Sequence, residues 1–342
     1  LVANALNHAG YPEVTDDFFD FCNSVLTKGG YLLHKYNPDR SWGSSWQAWI
    51  DENGQPQLPI QEDETALVVY SLWQHYLSFG DIEFTAPHFH SLVVPAGDFM
   101  TRYRDEEMRL PSPSYDLWEE RRGVLSYTTA TVYAGLDAAA NFAQLFGEEA
   151  LEAKYRQAAQ EIKEGALHYL WDEERGHFLR MITVDKDGTI HKDATLDSSL
   201  CGLFQFGMLA PDDREMEQTM QKLEETLWVK TPVGGMARYE NDSYQQVTQD
   251  LGQAQGNPWF ICTLWLAQYH IAHAHNLDEL RQALPLLEWV RARALPSGVM
   301  AEQVNPFTDE PLSVSPLTWS HAEFVLTTRW YVGKYHRFLN GK

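Results

Sequence analysis

Hydrophobic residues recur along most of the chain with the period of an α-helix, and the helical segments are of two kinds. The stretch EALEAKYRQAAQEIKEGALHYLW (149–171) has charged residues on one face, which is typical of an outer helix that is half exposed to solvent. Its opposite face carries Tyr155, Ala158, Ala159, Ile162, Ala166 and Tyr169. The stretches TTATVYAGLDAAANFAQLFG (128–147) and NPWFICTLWLAQYHIAHAHN (257–276) are apolar on nearly all sides, which predicts helices surrounded by protein.

The same periodicity predicts about eleven helical segments in the whole chain. They are expected to begin near Leu1, Thr15, Glu62, Phe84, Ser126, Glu148, Leu196, Asp212, Asn257, Leu277 and Pro316. Asn257 followed by Pro258 predicts a helix start, with Asn as the N-cap and Pro in the first turn. One strand pattern is clear, GHFLRMITVDKDGTIHKD (176–193), where DKDG predicts the turn of a hairpin between Phe178 and Ile190.

Alternating inner and outer helices indicate an all-α fold, a ring of helical hairpins or (α/α) barrel. Four long irregular segments interrupt the helices, and long loops of a compact domain usually carry function. They are HKYNPDRSWGSSWQAWIDENGQPQLPIQ, RLPSPSYDLWEERRG, GGMARYENDSYQQVTQDLGQAQG and PSGVMAEQVNPFTDEPLSVS. No linker-like tract divides the chain, so residues 1–342 are predicted to form a single catalytic domain with its site at one end of the barrel.

Composition narrows the class of partner. The formal net charge of -22 argues against nucleic acid, whose phosphates require Lys and Arg, and against an anionic membrane surface. The uncharged run from Asn257 to Asn276 is long enough for a membrane span, but its polar residues favour a buried helix instead. A neutral substrate suits a strongly acidic protein because it needs no electrostatic steering.

No metal and no cofactor is predicted. The cysteines Cys22, Cys201 and Cys262 form no CxxC pair and suggest buried free thiols rather than a disulfide framework. The histidines at 270, 273 and 275 do not share one helix face. No signal peptide pattern is visible in these residues and the cysteines indicate no disulfide framework, so the expectation leans toward a cytoplasmic location.

The long loops share a composition of carboxylates, Trp, Arg, Asn and Gln that suits carbohydrate. Aromatic faces cover the C–H face of a sugar ring, and planar polar groups bind its hydroxyls. Six of the 12 tryptophans lie in or beside these loops or near helix starts: Trp42, Trp46, Trp49, Trp118, Trp259 and Trp319. Trp42 and Trp46 are candidates for the walls of sugar subsites.

Four segments resemble motifs of glycoside hydrolase family 15, the glucoamylases and their bacterial and archaeal relatives, in the family's order. They are YDLWEERRG, ARYENDSYQQVTQDLGQAQGNPWF, MAEQVNPFTDEPLSVSPLTWSHAEF and, more loosely, GQPQLPIQEDETAL. The resemblance implies an (α/α)6 barrel and hydrolysis with inversion. It also implies that Glu119 is the general acid and Glu302 the general base, the two carboxyl groups that inversion requires.

By the same resemblance, the terminal glucose site is lined by Asp116, Leu117, Trp118, Glu120, Arg238 and Trp319. The packing of Trp118 and the charges of Asp116 and Glu120 are expected to keep Glu119 protonated. Simpler interpretations stay open for each residue. Glu119 could be a surface acid, Glu302 could pair with Arg293, Arg238 could pair with Glu240 or Asp242, Trp319 could belong to the core, and Glu323 is a rival base.

The chain departs from the family's pattern at its start. The resemblance leads us to expect an Arg-Asp pair and the first barrel helix upstream of Leu1, and an upstream segment of the same chain that completes the barrel. The function implied is an inverting, exo-acting glucan 1,4-α-glucosidase that releases β-D-glucose from maltooligosaccharides or other α-glucans. The alternatives are an α-1,6-glucan hydrolase, a trehalase, or a non-catalytic glucan-binding or regulatory barrel.

Overall fold

The computed structural model describes residues 1–43, 49–50, 54, 56–57 and 60–340, and helices dominate it. The α-helices are α1 (Val2–Ala9), α2 (Pro12–Val25), α3 (Glu62–Phe79), α4 (Ile82–His88), α5 (Val94–Arg102), α6 (Ser126–Leu145), α7 (Glu149–Tyr169), α8 (Gly202–Gln205), α9 (Arg214–Leu227), α10 (Phe260–His273), α11 (Leu277–Leu280), α12 (Leu284–Arg293) and α13 (Thr318–Leu339). A π-helical turn, Phe89–Val93, joins α4 to α5, and 3-10 turns at Ser198–Cys201 and Arg281–Ala283 precede α8 and α12.

The strands of the described residues are short and belong to four small antiparallel sheets. They are β1 (Trp49–Ile50), β2 (Pro56–Gln57), β3 (Ser114–Tyr115), β4 (Arg122–Leu125), β5 (Trp171–Asp172), β6 (His177–Phe178), β7 (Met181–Val184), β8 (Ile190–Asp193), β9 (Gln303–Val304) and β10 (Pro311–Leu312). The largest sheet has the order β3-β4-β7-β8. Its β7–β8 pair confirms the predicted hairpin, with the turn closed by a backbone hydrogen bond from Gly188 to Asp185.

Six helices form a closed inner ring. Each packs against the next in the order α1, α3, α6, α8, α10, α13, and α13 returns to α1. The outer layer of the described residues consists of α2, the α4–α5 pair, α7, α9 and the α11–α12 pair. Eleven helical rods therefore make an (α/α) barrel, which confirms the fold class and the number of helical segments predicted from periodicity.

The inner helices are buried as their sequences predict. All but a few residues of α6 are inaccessible to solvent, and α6 separates two hydrophobic clusters that fill the ring. Its backbone lies so close to α3 that a Cβ on Gly135 would come within 2.9 Å of the Cα of Ala66. The amphipathic helix α7 buries Tyr155, Ala158, Ala159, Ile162 and Ala166. Each fully buried large side chain of such a core contributes roughly 1.5–3 kcal/mol to folding.

The connections at the two ends of the barrel differ greatly in length. An inner helix reaches the next outer helix through a short turn, at residues 10–11, 80–81, 146–148, 206–213 and 274–276. An outer helix reaches the next inner helix through a long segment, at residues 26–61, 103–125, 170–197, 228–259 and 294–317. Because the inner helices run in one direction, all the long segments meet at their N-terminal end, where the sequence analysis expected the site.

One predicted helix start is wrong. Helix α10 begins at Phe260, and its N-cap is Trp259 rather than Asn257. The backbone of Pro258 and Trp259 pairs instead with Ala237 and Gln303, as in a narrow sheet, so these residues are extended. Helix α10 itself is buried along most of its length, as predicted. In the described part of the chain, no helix combines the length and apolar character that a membrane span requires.

Candidate active site

The motif YDLWEERRG forms a tight hairpin at the N-terminal end of α6. Strands β3 and β4 pair as Ser114 with Gly123 and Tyr115 with Arg122, so residues 116–121 are the loop between them. Oδ1 of Asp116 accepts the backbone N–H groups of Glu120 at 2.7 Å and Arg121 at 3.1 Å, which fixes the loop from inside. Glu119 has a φ of 61°, a left-handed conformation that is uncommon for a non-glycine residue.

Asp116 is the most deeply buried of the three acids in this motif. It is 1% exposed, and burial raises its pKa to about 6, although the two backbone hydrogen bonds oppose the shift. Its second oxygen, Oδ2, has no hydrogen-bond partner among the described residues. The desolvated carboxyl that the sequence analysis placed at Glu119 is therefore found at Asp116, because the loop turns Asp116 inward and leaves the Glu119 side chain 30% exposed.

Glu120 and Arg238 form the charged centre of the site, although 118 residues separate them. Nη2 of Arg238 donates to Oε1 of Glu120 at 2.7 Å, and the hydroxyl of Tyr239 donates to Oε2 at 2.6 Å. Burial raises the pKa of Glu120, but the hydrogen bonds from Tyr239 and Arg238 outweigh it and lower that pKa below its ordinary value. Glu120 is thus ionised near neutral pH and serves as a fixed partner of Arg238.

Arg238 also pairs with Asp242, as one alternative interpretation of the sequence held. Its Nε and Nη2 contact the two oxygens of Asp242 at 2.9 and 2.7 Å, and both partners are buried. Carboxylates on either side raise the pKa of Arg238 against the opposing effect of burial. No hydrogen bond from the described residues reaches its remaining nitrogen, Nη1.

Four tryptophans form a wall beside this charged centre. The ring of Trp118 lies 5.7 Å from Trp259, 5.9 Å from Trp265 and 6.0 Å from Trp319. The Arg238 guanidinium carbon is 5.2 Å from the Trp118 ring and 5.0 Å from the Trp259 ring. Nε1 of Trp118 donates to both oxygens of the buried Asp197, whereas the buried Nε1 of Trp259 has no partner among the described residues.

Glu302 is linked to the same wall through the backbone of its neighbour. Its neighbour Gln303 pairs with Trp259 across a β-bridge and accepts a hydrogen bond from Asn257 at 2.8 Å. The half-buried side chain of Glu302 accepts hydrogen bonds from Ser313 and Gln303 through Oε2. The alternative pairing with Arg293 is not found, because Arg293 pairs with Asp309.

Glu119 contacts a histidine that the sequence analysis did not single out. Its Oε1 lies 2.8 Å from Nε2 of His34, a side chain that is 6% exposed. His34 belongs to the connection 26–61, which leads into α3, and Glu64 of α3 interacts electrostatically with Glu119. The proton donor expected from the resemblance is therefore held between the loop before α6 and the segment before α3.

The remaining predicted residues differ in how close they lie to this site. Leu117 is half-buried against the core, and Trp319 is half-buried in the tryptophan wall at the start of α13. Trp42 is 66% exposed and bridges to Tyr36, and Trp46 lies outside the described residues. A largely apolar cavity of about 610 Å³ opens beside Trp319 and Glu64, between α1, α2 and α3.

Glu323, the rival base, is buried in α13. It accepts hydrogen bonds from Gln268 at 2.7 Å and from Trp319 at 3.3 Å, and burial raises its pKa. A base must be ionised and must reach water. Glu323 meets neither requirement well, whereas the side chain of Glu302 is half-buried in a loop and within reach of water.

Several residues of the site were not singled out from the sequence. His34, Asp197 and Trp265 lie outside the four family-like segments, whereas Tyr239, Gln61 and Asp63 lie within them. Gln61 and Asp63 lie in the segment that resembled the family more loosely, and the amide of Gln61 donates to the carbonyl oxygen of Asp116 at 3.0 Å. That weaker motif was the available signal for them.

Comparison with known proteins gives a consistent result. The family described as "Glycosyl hydrolases family 15" matches residues 47–329. An uncharacterized glycosyl hydrolase of Methanocaldococcus jannaschii is 29% identical over 95% of the chain and 48% of its own length. A glucoamylase of Clostridium sp. (strain G0005) is 26% identical over 95% of the chain and 45% of its own length. The chain thus spans about half the length of these two relatives.

Two further similarities were found, one to a curated protein and one to a solved structure. A trehalase of Mycolicibacterium smegmatis is 26% identical over 62% of the chain and 29% of its own length. Among solved structures, a bacterial glucoamylase complexed with acarbose superposes with a TM-score of 0.74, at 23% identity, over 97% of this chain and 48% of the other. At that identity the structural likeness supports the barrel fold alone.

Proposed function

The chain belongs to the glycosyl hydrolases of family 15, and from this premise we propose that it hydrolyses α-1,4-glucosidic bonds at the non-reducing ends of α-glucans, with inversion, to release β-D-glucose. The observation that carries the proposal is that two half-buried carboxyl groups, from distant parts of the sequence, belong to residues next to one cluster of packed tryptophans. Glu119 follows Trp118, Glu302 precedes Gln303, and Trp259, which pairs with Gln303, packs against Trp118.

In the proposed reaction Glu119 is the acid and Glu302 the base. Glu302 takes a proton from a water molecule as the water oxygen bonds to the anomeric carbon from the face opposite the leaving group. The bond from that carbon to the glycosidic oxygen breaks, and the oxygen takes the proton of Glu119. Glu302 ends protonated and Glu119 ionised, so one proton exchanged through solvent restores both groups for the next cycle.

The unsatisfied polar atoms around the wall support a sugar as the ligand. Oδ2 of Asp116 and Nε1 of Trp259 are buried and have no hydrogen-bond partner among the described residues. A buried polar atom without a partner is costly, and sugar hydroxyls can supply both donors and acceptors. We therefore propose that Asp116, Leu117, Trp118, Glu120, Arg238 and Trp319 line the terminal glucose site, with Glu120 and Asp242 holding the Arg238 fork in place.

The experiment that tests the proposal compares Glu119→Gln and Glu302→Gln on two substrates. On maltotriose each variant is expected to lose at least roughly 10²-fold in kcat, because a positioned acid or base is removed. α-Glucosyl fluoride needs no protonation of its leaving group, so it should partly rescue Glu119→Gln and not Glu302→Gln. Proton NMR of the first product formed should show β-D-glucose.

The matched control is Glu323→Gln, in which the same isosteric change is made at the rival base. Near-normal activity of this variant is expected. If α-glucosyl fluoride restores the activity of Glu119→Gln and Glu302→Gln equally, Glu302 is not the base, and Glu323 becomes the leading candidate for that role. A separation near 5 Å between the carboxyl groups of Glu119 and Glu302, rather than about 6.5–9.5 Å, would indicate retention of configuration instead.

A trehalase is the second candidate, favoured by the similarity to the Mycolicibacterium smegmatis enzyme. Trehalose, isomaltotriose and maltotriose share the terminal α-glucosyl unit and differ only in what lies beyond it. Comparing kcat/KM on the three substrates therefore distinguishes the trehalase, the α-1,6-glucan hydrolase and the proposed 1,4-α-glucosidase. Binding of maltooligosaccharide without release of glucose from any of the three would favour a non-catalytic, glucan-binding barrel.

A further inference from the structure

The imidazole of His34 is held rigidly against Glu119. Nε2 of His34 lies 2.8 Å from Oε1 of Glu119, within hydrogen-bonding distance. The segment around His34 is anchored, since the Leu32 N–H donates to the Thr65 hydroxyl of α3 at 2.9 Å and the Leu33 N–H donates to the Tyr36 hydroxyl at 2.7 Å. Leu32 and Leu33 are both buried, so the backbone that presents His34 is fixed by packing as well as by hydrogen bonds.

The groups that face this contact from α3 are acidic. Burial and the charge of Asp116 raise the pKa of Asp63 to about 7, and the electrostatic interaction with His34 acts in the opposite direction. Burial raises the pKa of Glu64 well above its ordinary value, and the charges of Asp63 and Glu119 add to the effect. His34 thus interacts with Asp63 of α3 and with Glu119 of the loop before α6, and it hydrogen-bonds to Glu119, the group that is proposed to give up its proton.

We propose that His34 is a positioning residue for the proton donor Glu119, an inference that rests on the proposed function. The Nε2–H of His34 donates to Oε1 of Glu119 and so orients the carboxyl group whose proton passes to the glycosidic oxygen. As that proton departs, Glu119 becomes a carboxylate, and the hydrogen bond from His34 becomes charge-assisted and stronger. An interaction that strengthens as charge develops lowers the barrier of the chemical step rather than improving the binding of substrate.

Three variants test this role on maltotriose. His34→Ala should lower kcat about 10- to 100-fold, the range expected for losing a hydrogen bond to a charged group, while KM changes less than about twofold. His34→Gln keeps an N–H group at a similar reach and should recover most of the loss. His191→Ala removes a histidine from the exposed strand β8, where it bonds to Asp185, and should leave kcat unchanged.

Two readouts separate positioning from a merely structural role. The alkaline limb of the kcat/KM profile, which reports the protonated donor, should move to higher pH in His34→Ala, because the ionised form of the donor loses its hydrogen bond. Hydrolysis of α-glucosyl fluoride, which needs no proton donor, should be close to normal. Equal losses on fluoride and maltotriose, or an unchanged pH profile and kcat, would overturn the role of His34. A wild-type protein that hydrolyses none of these substrates would instead overturn the proposed function.

Discussion

At the scale of single residues, Asp63 couples the stability of the barrel to pH. Its side chain is buried in the first turn of α3, and burial together with the charge of Asp116 raises its pKa from 3.8 to about 7. Between about pH 4 and pH 7 the folded protein therefore keeps a proton that the unfolded chain releases. Stability from this group is complete at low pH and is lost as the pH rises, by on the order of 2–4 kcal/mol.

Asp63→Asn should remove this dependence, because the amide does not ionise. The free energy of unfolding, measured by urea denaturation, should be larger for the variant relative to the wild type at pH 8 than at pH 5, which means that the variant is relatively more stable at pH 8. Asp17→Asn, at an exposed position of α2, controls for the loss of one negative charge from a strongly acidic chain. A difference from the wild type that is the same at both pH values would mean that Asp63 is ionised in the folded protein.

At the scale of secondary-structure elements, Gly123 holds the acid motif against the β7–β8 hairpin. A Cβ at Gly123 would lie 2.9 Å from the carbonyl oxygen of Ile182 and 3.0 Å from Sδ of Met181. Gly123→Ala must therefore push β4 away from β7 and displace the loop that carries Glu119. We expect kcat on maltotriose to fall at least about 10-fold, since small displacements of catalytic groups are costly.

The control for this prediction is the same substitution at Gly333, an exposed position inside α13 where a Cβ would meet nothing within 4 Å. Gly333→Ala should raise the stability by up to about 1 kcal/mol, because alanine favours helix, and leave kcat unchanged. An active Gly123→Ala variant with wild-type kcat would show that the position of the loop does not depend on the β4–β7 pair.

These elements also show which features a sequence can predict. Periodicity located the helices, because apolar residues recur at every turn on each face of a helix that packs against protein. Strands β3 and β9 were missed, since each has two residues and is defined by its partner rather than by a pattern. Asn257 and Pro258 form a good local helix start, but long-range pairing of the backbone overrides that local preference.

The candidate site could be predicted only in part, as could the fold. The residues Asp116, Trp118 and Arg238, which lie within motifs, were predicted from the sequence to share one site. The contact between His34 and Glu119 joins residues 85 positions apart, and no local sequence pattern indicates it. The burial of Asp116 rather than Glu119 follows from a left-handed residue in a hairpin loop, which residue types alone do not specify.

At the scale of the whole molecule, the net charge of -22 has a consequence for kinetics. A neutral substrate is not steered by this field, so kcat/KM for maltoheptaose should change less than about twofold between roughly 20 and 500 mM salt. An anionic substrate is repelled, so kcat/KM for a carboxymethylated amylose should rise over the same range as salt screens the repulsion. Equal salt dependence for the two substrates would contradict the interpretation of the acidic surface.

The long connections and the candidate site lie at one end of the barrel, and the short turns lie at the opposite end. The short-turn end can therefore be modified without touching the site. All three cysteines are buried and unpaired, so a thiol introduced on a short turn would be the accessible one for coupling to a solid support. Glu149→Cys, at the exposed start of α7, would place the point of attachment beside the turn 146–148. A protein immobilised through that residue would present the mouth of its barrel to the solution, where even a long polymer could reach it.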